Sequence, residues 1–323
     1  MKAISQEGNH LIWKNQSDPV LKEEEVIINI KASAINRADL LQRSGNYPVP
    51  EGASPILGLE CAGKIEEIGD KVISDFRKGD QVCALLAGGG YAERVSVPAG
   101  QVVKIPKGFS FEQAAALPEV YCTAYFNLYM EANLAEGETA LIHAGASGVG
   151  TAAIQICKVK GNPCFVTAGN KEKISRCIEL GAEGGTVRTE ENFVQAVNEW
   201  TNNNGVDVIL DPVGANYLDD NLNSLSLEGR LVMIGLMGGA ETSINLALML
   251  MKRLRIIGST LRNQPISTKT RIMYILGEYL WPFLESGDIK PIIDTIITIE
   301  EAEKAHELIA SNKTFGKVVL KVN

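Results

Sequence analysis

The sequence predicts an α/β protein of two domains, one β-rich and one built on a doubly wound parallel sheet. Three observations carry this: the length, a change of pattern near residue 112, and a glycine-rich turn at His143 to Gly150 set between a strand and a helix. At 323 residues the chain exceeds the roughly 250–300 at which a single core stops growing. Apolar residues make up 45% and charged residues 22%, enough for packed cores under a solvated surface.

The β-rich part comes first. Val26 to Ile30 is a β-branched run, and Cys61 to Ile68 alternates before Gly69-Asp70. Gln81 to Leu86 lies between Lys78-Gly79-Asp80 and the three glycines Gly88 to Gly90. Arg94 to Val97 and Val102 to Ile105 follow, each stopped by a proline. Short strands at this spacing predict a barrel-like β domain. Helical patterns then run over Glu112 to Ala116 and Cys122 to Ala132.

Beyond them strands and helices alternate. Strands are expected at Glu138 to His143, Pro163 to Thr167, Gly184 to Val187, Val206 to Leu210, Arg230 to Ile234 and Leu254 to Gly258. Helices are expected at Thr151 to Lys160, Lys171 to Leu180 and Asn192 to Thr201. The first five strands are nearly uniformly apolar, as strands covered by helices on both faces must be, and alternating βα units imply a parallel sheet. From residue 262 a long helix over Thr268 to Ser286, a helix over Glu300 to Ser311 and a strand over Lys317 to Lys321 are expected. This tail is too short for a third domain, so residues 1–121 and 262–323 are expected to form one domain and 122–261 the other.

Composition excludes several function classes. A net charge of −8 disfavours nucleic acid and anionic membrane surfaces as partners. The N-terminus has no apolar signal core, and no apolar run reaches the ~18–20 residues a bilayer span needs. The six cysteines (61, 83, 122, 157, 164 and 177) form no CxxC pair, so they read as reduced thiols of a cytoplasmic protein.

The strongest motif is Gly145-Ala146-Ser147-Gly148-Val149-Gly150, preceded by His143-Ala144. It joins a predicted strand to a predicted helix, the context a dinucleotide-binding turn requires. Small residues let the backbone approach a pyrophosphate, and the helix start directs N–H groups and its positive dipole end at it. Ser147 stands where the usual fingerprint has its middle glycine.

With Ala34 to Asp39, Gly58 to Gly63, Lys78 to Val82, Gly235 to Gly239 and Phe315 to Leu320, this motif resembles the zinc-free quinone oxidoreductases of the medium-chain dehydrogenase/reductase superfamily. The match is nearest the branch of the stress-inducible mammalian quinone reductase and its bacterial relatives. The resemblance covers the whole chain. It implies a GroES-like catalytic domain split around a Rossmann domain, a cleft between them, and a homodimer paired through the last Rossmann strand, Leu254 to Thr260. It also implies that Leu236, Met237, Phe315 and Lys317 lie among the cofactor-binding residues.

Zinc is not expected. Related alcohol dehydrogenases hold a catalytic zinc with Cys and His. Asn36 occupies the first ligand position here, Leu59-Glu60 the second, and Leu117-Pro118-Glu119 the third; the chain has only three histidines, His10, His143 and His306. His143 is expected to pack at its strand end and His306 to lie on the surface. Reducing a quinone or electron-poor alkene needs a Lewis acid less than alcohol oxidation does, because the acceptor delocalises the arriving charge.

Asn36, Tyr47 and Thr123 fall at the catalytic positions the resemblance implies. Asn36 could bond the substrate oxygen or nicotinamide ribose, Tyr47 could donate to a quinone carbonyl, and Thr123 could contact the nicotinamide side. Asp39 could share the site or serve as a helix-starting acid on Arg37 or Arg43. NADPH is the expected cofactor. The second strand ends in Gly169-Asn170 with no carboxylate to repel a 2′-phosphate; Lys173 matches the family's phosphate-binding lysine, and Arg188 stands where relatives carry tyrosine. The expected activity is two-electron reduction of quinones. The alternatives are an alkenal or enoyl double-bond reductase and an NADPH-binding protein with a structural or regulatory role.

Overall fold

Strand Glu25–Ala34 is apolar at most positions and buried along most of its length, so it can only sit inside a sheet. It pairs antiparallel with Glu60–Ile68, Arg94–Pro98 and Lys317–Lys321. The sheet runs Ile293–Thr298, Lys317–Lys321, Glu25–Ala34, Glu60–Ile68, Gln81–Leu85, Val102–Lys104, with Arg94–Pro98 laid on Glu25–Ala34. The last part of the chain thus supplies two strands to the sheet begun by the first. Val26, Ile28, Ile30, Ile65, Val82, Val318 and Leu320 meet in its core.

The structure, a computed structural model, describes residues 1–322. The chain divides into two units: Met1–Cys122 with the chain from Leu261 onward, and Thr123–Thr260.

Fully buried Tyr91 anchors the first unit, and Gly58 makes room for it. Gly58 has φ +100, and a Cβ there would lie 2.5 Å from Tyr91 Cδ1 and 2.7 Å from Gly90 Cα. Left-handed backbone and close approach together require glycine.

The second unit is a six-stranded parallel sheet ordered Gly184–Val187, Cys164–Ala168, Ala140–Ile142, Val206–Asp211, Leu225–Met233, Arg255–Gly258. Numbered within the unit, that order is 3-2-1-4-5-6, the doubly wound Rossmann arrangement. Its switch point falls between Ala140–Ile142 and Val206–Asp211, where adjacent loops diverge and a ligand crevice opens. Helix Gly148–Lys160 leaves the first strand and helix Lys171–Leu180 the second. The fold class is the α/β class read from the sequence.

Two helices differ from expectation. The segment from Ile266 to Ser286 is helical throughout but changes pitch: an α-helix over Ile266–Ile275, a π-helical turn over Leu276–Leu280, then an α-helix over Trp281–Ser286. Pro282 lacks the N–H that would bond back one turn, so the ladder widens ahead of it. The region expected as one helix from Cys122 is an α-helix over Pro118–Tyr125 followed by a π-helical stretch over Phe126–Glu131. Unexpected elements include the hairpin of Lys2–Glu7 with His10–Asn15, helices Arg37–Arg43, Leu218–Ser224 and Leu246–Lys252, and strand Ile293–Thr298.

Candidate active site

In the second unit the turn after the first strand is shaped by packing from below. A Cβ on Gly145 would sit 2.8 Å from Val166 Cβ, and one on Gly150 would sit 2.5 Å from the Ala144 carbonyl. Ala144 takes φ +53 to turn the chain out of the strand. Ser147 is the N-cap of helix Gly148–Lys160: its Oγ accepts the Gly150 N–H at 3.0 Å. The serine that departs from the glycine fingerprint therefore closes one backbone donor itself. Other N–H groups of the first turn have no intrahelical acceptor and suit a phosphate.

A buried network supports this turn. His143 Nε2 lies 2.6 Å from Asn221 Oδ1 and His143 Nδ1 lies 3.0 Å from Thr167 Oγ1. Asn221 Nδ2 donates to Asp211 at 3.1 Å, so its Oδ1 must accept. Nε2 of His143 is then the protonated nitrogen, and Nδ1 accepts from Thr167. Burial holds His143 down at about 4, which keeps it neutral. Asp211, pushed up by burial to about 6, accepts the N–H groups of Val213 and Gly214 and so shapes the loop across the switch point. The next loop is stitched to that one: Met237 N–H donates to the Pro212 carbonyl and Gly238 N–H to that of Val213, leaving Leu236 and Met237 about half exposed.

The tip of the second strand carries Gly169 and Asn170, both exposed, and a Cβ on Gly169 would meet nothing within 4 Å. Asn170 Oδ1 caps the next helix through the Lys173 N–H at 2.9 Å. Parallel pairing sets Val187 beside Ala168, and Arg188 N–H donates to the Ala168 carbonyl at 3.0 Å, so exposed Arg188 emerges next to this open tip. An open cleft of about 330 Å³ is lined there by Arg188, Phe193 and Tyr217 together with the acidic Glu190, Glu191 and Asp220. The tight turn, the open tip and the adjacent guanidinium fit a phosphorylated dinucleotide. Thr123, the first residue of this unit, is half-buried, and its carbonyl accepts from Asn127 Nδ2 at 2.7 Å.

In the first unit the sequence-predicted residues meet around a lysine. Lys317 Nζ lies 2.7 Å from Glu60 Oε1 and donates to Asn36 Oδ1 at 2.7 Å and to the Ile35 carbonyl at 2.8 Å. Asn36 Nδ2 donates to Glu60 Oε1 at 2.8 Å, and Glu60 Oε2 accepts the Glu119 N–H at 2.8 Å. Of the three segments that the sequence resemblance sets at zinc-ligand positions, two meet this ammonium and the third reaches it through Glu60. Among the described residues, no group of three or more His, Cys, Asp or Glu side chains is placed to hold a metal ion.

Asp39 is buried and accepts from the Asn36 N–H, the Gly58 N–H and the Tyr91 hydroxyl. It touches neither Arg37 nor Arg43 in these bonds; it positions the start of helix Arg37–Arg43 and so Asn36. Burial pushes it up to about 6 against those donors. His306, expected on the surface, is buried at 2% exposure with Nε2 3.3 Å from the Tyr91 oxygen. Helix Ala302–Ala310 is amphipathic, and its inner face carries the histidine onto Tyr91. Phe315 is buried, its N–H bonded to Asp294 at 2.8 Å. Cys61 and Cys122 are buried thiols pushed up by burial, so neither is poised as a nucleophile.

Tyr47, half-buried, has the Arg262 guanidinium 5.3 Å from its ring centre. Burial, then the charge of Glu119, pushes its phenol up, and Arg262 opposes them. Glu119 is itself pushed up to about 8, first by burial and then by Glu60. Glu119 was noted in the sequence only as part of the third ligand-position segment, and Arg262 and Lys269 were not singled out at all: they belong to no motif, and only the return of the chain after Thr260 brings them into this unit.

A GroES-like β domain and a Rossmann domain with a dinucleotide turn define an oxidoreductase of the alcohol-dehydrogenase type. The family description "Alcohol dehydrogenase GroES-like domain" matches residues 22–107, and "Zinc-binding dehydrogenase" matches 148–273, a range that includes none of the three ligand-position segments. The quinone oxidoreductase of Rattus norvegicus is 33% identical over 97% of this chain and 94% of its own length. The chain belongs to the quinone oxidoreductase family of the medium-chain dehydrogenases and reductases. Escherichia coli quinone oxidoreductase complexed with NADPH superposes with a TM-score of 0.86 at 29% identity, covering 99% of this chain and 98% of that one. An NAD-dependent alcohol dehydrogenase superposes at 0.87 with 28% identity and full coverage of both chains.

The raised Glu119 carboxyl fixes a direction of pH dependence. Its folded value, about 8, lies above the unfolded 4.5, so the folded state binds the proton more tightly and its stability falls as pH rises between those values. Glu119→Gln removes this slope. The variant is expected to melt with the wild type near pH 5 and above it at pH 9, as followed by thermal denaturation across that range. An equal difference at both pH values would mean that Glu119 ionises freely.

Proposed function

We propose that this chain catalyses the two-electron reduction of quinones by NADPH, without zinc. The observation that carries the reading is the switch-point crevice: a tight turn suited to a pyrophosphate beside an open strand tip that presents no carboxylate to a 2′-phosphate. Family membership supports the choice of a quinone as acceptor.

In this reading Gly145, Ala146, Ser147, Gly148, Val149 and Gly150 hold the pyrophosphate, and Gly169, Asn170, Lys173 and Arg188 receive the adenosine end with its phosphate. Leu236 and Met237 supply apolar cover, while buried Phe315 and Lys317, expected among the cofactor-binding residues, back the site from within, Lys317 by holding Asn36. Bound NADPH supplies the hydride. Thr123 contacts the nicotinamide side, Asn36 orients the acceptor oxygen or the ribose, and Tyr47 donates to the acceptor carbonyl. Asn36 is fixed for this by Lys317 and Glu60, which hold both ends of its amide.

A homodimer paired along strand Arg255–Gly258 is part of the same proposal. That strand ends the sheet, and Leu246, Leu250 and Met251 on the preceding helix are 68%, 74% and 72% exposed. An apolar face beside an open edge is a surface a partner covers.

NADPH oxidation measured with a quinone panel beside an alkenal panel tests the activity. Faster turnover of alkenals would replace the quinone reading with a double-bond reductase, and no turnover of either would leave a binding protein. Lys173→Ala is expected to raise the KM for NADPH about ten-fold, the loss of one charge contact to phosphate, and to leave NADH nearly unchanged; an equal effect on both cofactors would remove the phosphate assignment. Ile256→Glu is expected to shift sedimentation toward monomer, and an unchanged dimer would place the interface elsewhere.

A further inference from the structure

Arg262 is 3% exposed, and neither Nη1 nor Nη2 has a hydrogen-bond partner. An unpaired buried charge is strongly destabilising, so a fold that keeps one needs a reason. The group is not loosely placed. Its Nε donates to the Ala87 carbonyl at 2.8 Å, which fixes the plane of the guanidinium, and the Tyr47 ring lies over it with the centroid 5.3 Å from Cζ. Lys269, also buried, donates from Nζ to the Arg262 carbonyl at 2.9 Å and adds a second positive charge. The contrast with Lys317 is informative: that ammonium has an oxygen for each of its three protons. One buried cation of this unit is closed by a carboxylate, and the other presents two parallel donors with nothing to receive them.

We propose that Arg262 binds the acceptor oxygen on which negative charge gathers during reduction, with the Tyr47 ring as a flat wall for an aromatic or conjugated acceptor. This rests on the reductase reading above. The acceptor takes a hydride, two electrons and one proton, from the reduced nicotinamide, which is left oxidised. The acceptor then carries one negative charge on a carbonyl oxygen, the monoanion of a hydroquinone in the quinone case, and a proton from solvent completes the product. A planar fork with two free N–H donors matches that oxygen, and its fixed orientation means that no donor must reorganise as the charge arrives. The ligand class is a flat phenolate-like anion or its neutral carbonyl precursor.

The probe is 4-nitrophenol, an arene oxyanion that cannot accept a hydride in this way and reports its own ionisation by visible absorbance. It is added to the full-length protein without cofactor. Wild type is expected to bind the phenolate in preference to the phenol and so to lower the pH at which the bound dye ionises. Arg262→Met and Arg262→Gln are each expected to abolish that shift, with phenolate affinity down about ten-fold or more and quinone turnover down on the order of a hundred-fold. Arg262→Lys is expected to recover part of both. The Met variant, relieved of an unpaired charge, is expected to melt at or above the wild-type temperature. If Met fails to fold, the Gln variant decides. The proposal is overturned if wild type does not bind the phenolate, or if a folded Met or Gln variant binds it as tightly as wild type. Arg262-dependent phenolate binding without NADPH oxidation by any quinone would support this site and sink the reductase reading. Quinone turnover with no role for Arg262 in phenolate binding would do the reverse.

Discussion

The buried contact between Lys317 and Glu60 fixes the first unit's chemistry. It ties together three segments far apart in the chain: the loop at Ile35-Asn36, the start of strand Glu60–Ile68, and strand Lys317–Lys321. Taking both charges out of water is expensive, and their attraction repays that only when remaining donors and acceptors are also met. Here they are. Lys317 has three oxygens, and Glu60 accepts from Lys317, Asn36 and the Glu119 N–H. Loss of either partner would strand the other at a cost of roughly 3–5 kcal/mol. The same bonds hold the Asn36 amide and the backbone of Glu119, so the network that closes the fold also sets two groups of the candidate site.

A second constraint acts in the other unit. The 3-2-1-4-5-6 strand order makes the loops after the first and fourth strands diverge, and the small residues between Ala144 and Gly150 let the first loop stay low. His143, Asn221 and Asp211 then link the loops beneath, with each proton position forced by its neighbour. A neutral histidine suits this place, since a charge there would be buried away from water, a cost the Asn221 amide oxygen offsets only in part.

The sequence made much of this legible for identifiable reasons. Parallel strands buried on both faces read as apolar runs, as at Val206–Asp211, and helix Lys171–Leu180, bounded by Asn170 and Gly181, was placed to the residue. The dinucleotide turn was readable because its chemistry is local: small residues between a strand and a helix. The short elements were not. Helices Arg37–Arg43 and Leu246–Lys252 have seven residues each, too few to establish a period, and Ile293–Thr298 is a half-exposed edge strand. His306 was misplaced because the period of helix Ala302–Ala310 does not say which face turns inward; only packing against Tyr91 does. Lys317 was noted as part of a motif, but its partners Asn36 and Glu60 lie more than 250 positions away. Pairings at that separation leave no periodic trace.

The charges of the first unit also explain why the same positions can serve an oxidoreductase of this family with an ammonium among them. A metal ion at such a place would polarise a substrate oxygen directly. Lys317 cannot do so as placed, because its donors face Glu60, Asn36 and the Ile35 carbonyl. Its work is to neutralise Glu60 and hold Asn36. Charge stabilisation of the acceptor has to come from another group. Glu119 and Asp39, both pushed up by burial, resist becoming additional negative charges nearby. Arg262 and Lys269 add positive charge on the side of Tyr47, and each is pulled down by burial, so anything that brings negative charge to them is favoured. An acceptor that turns anionic only as it is reduced meets that field most strongly at the moment of hydride arrival, which is the condition for an electrostatic contribution to rate rather than to binding alone.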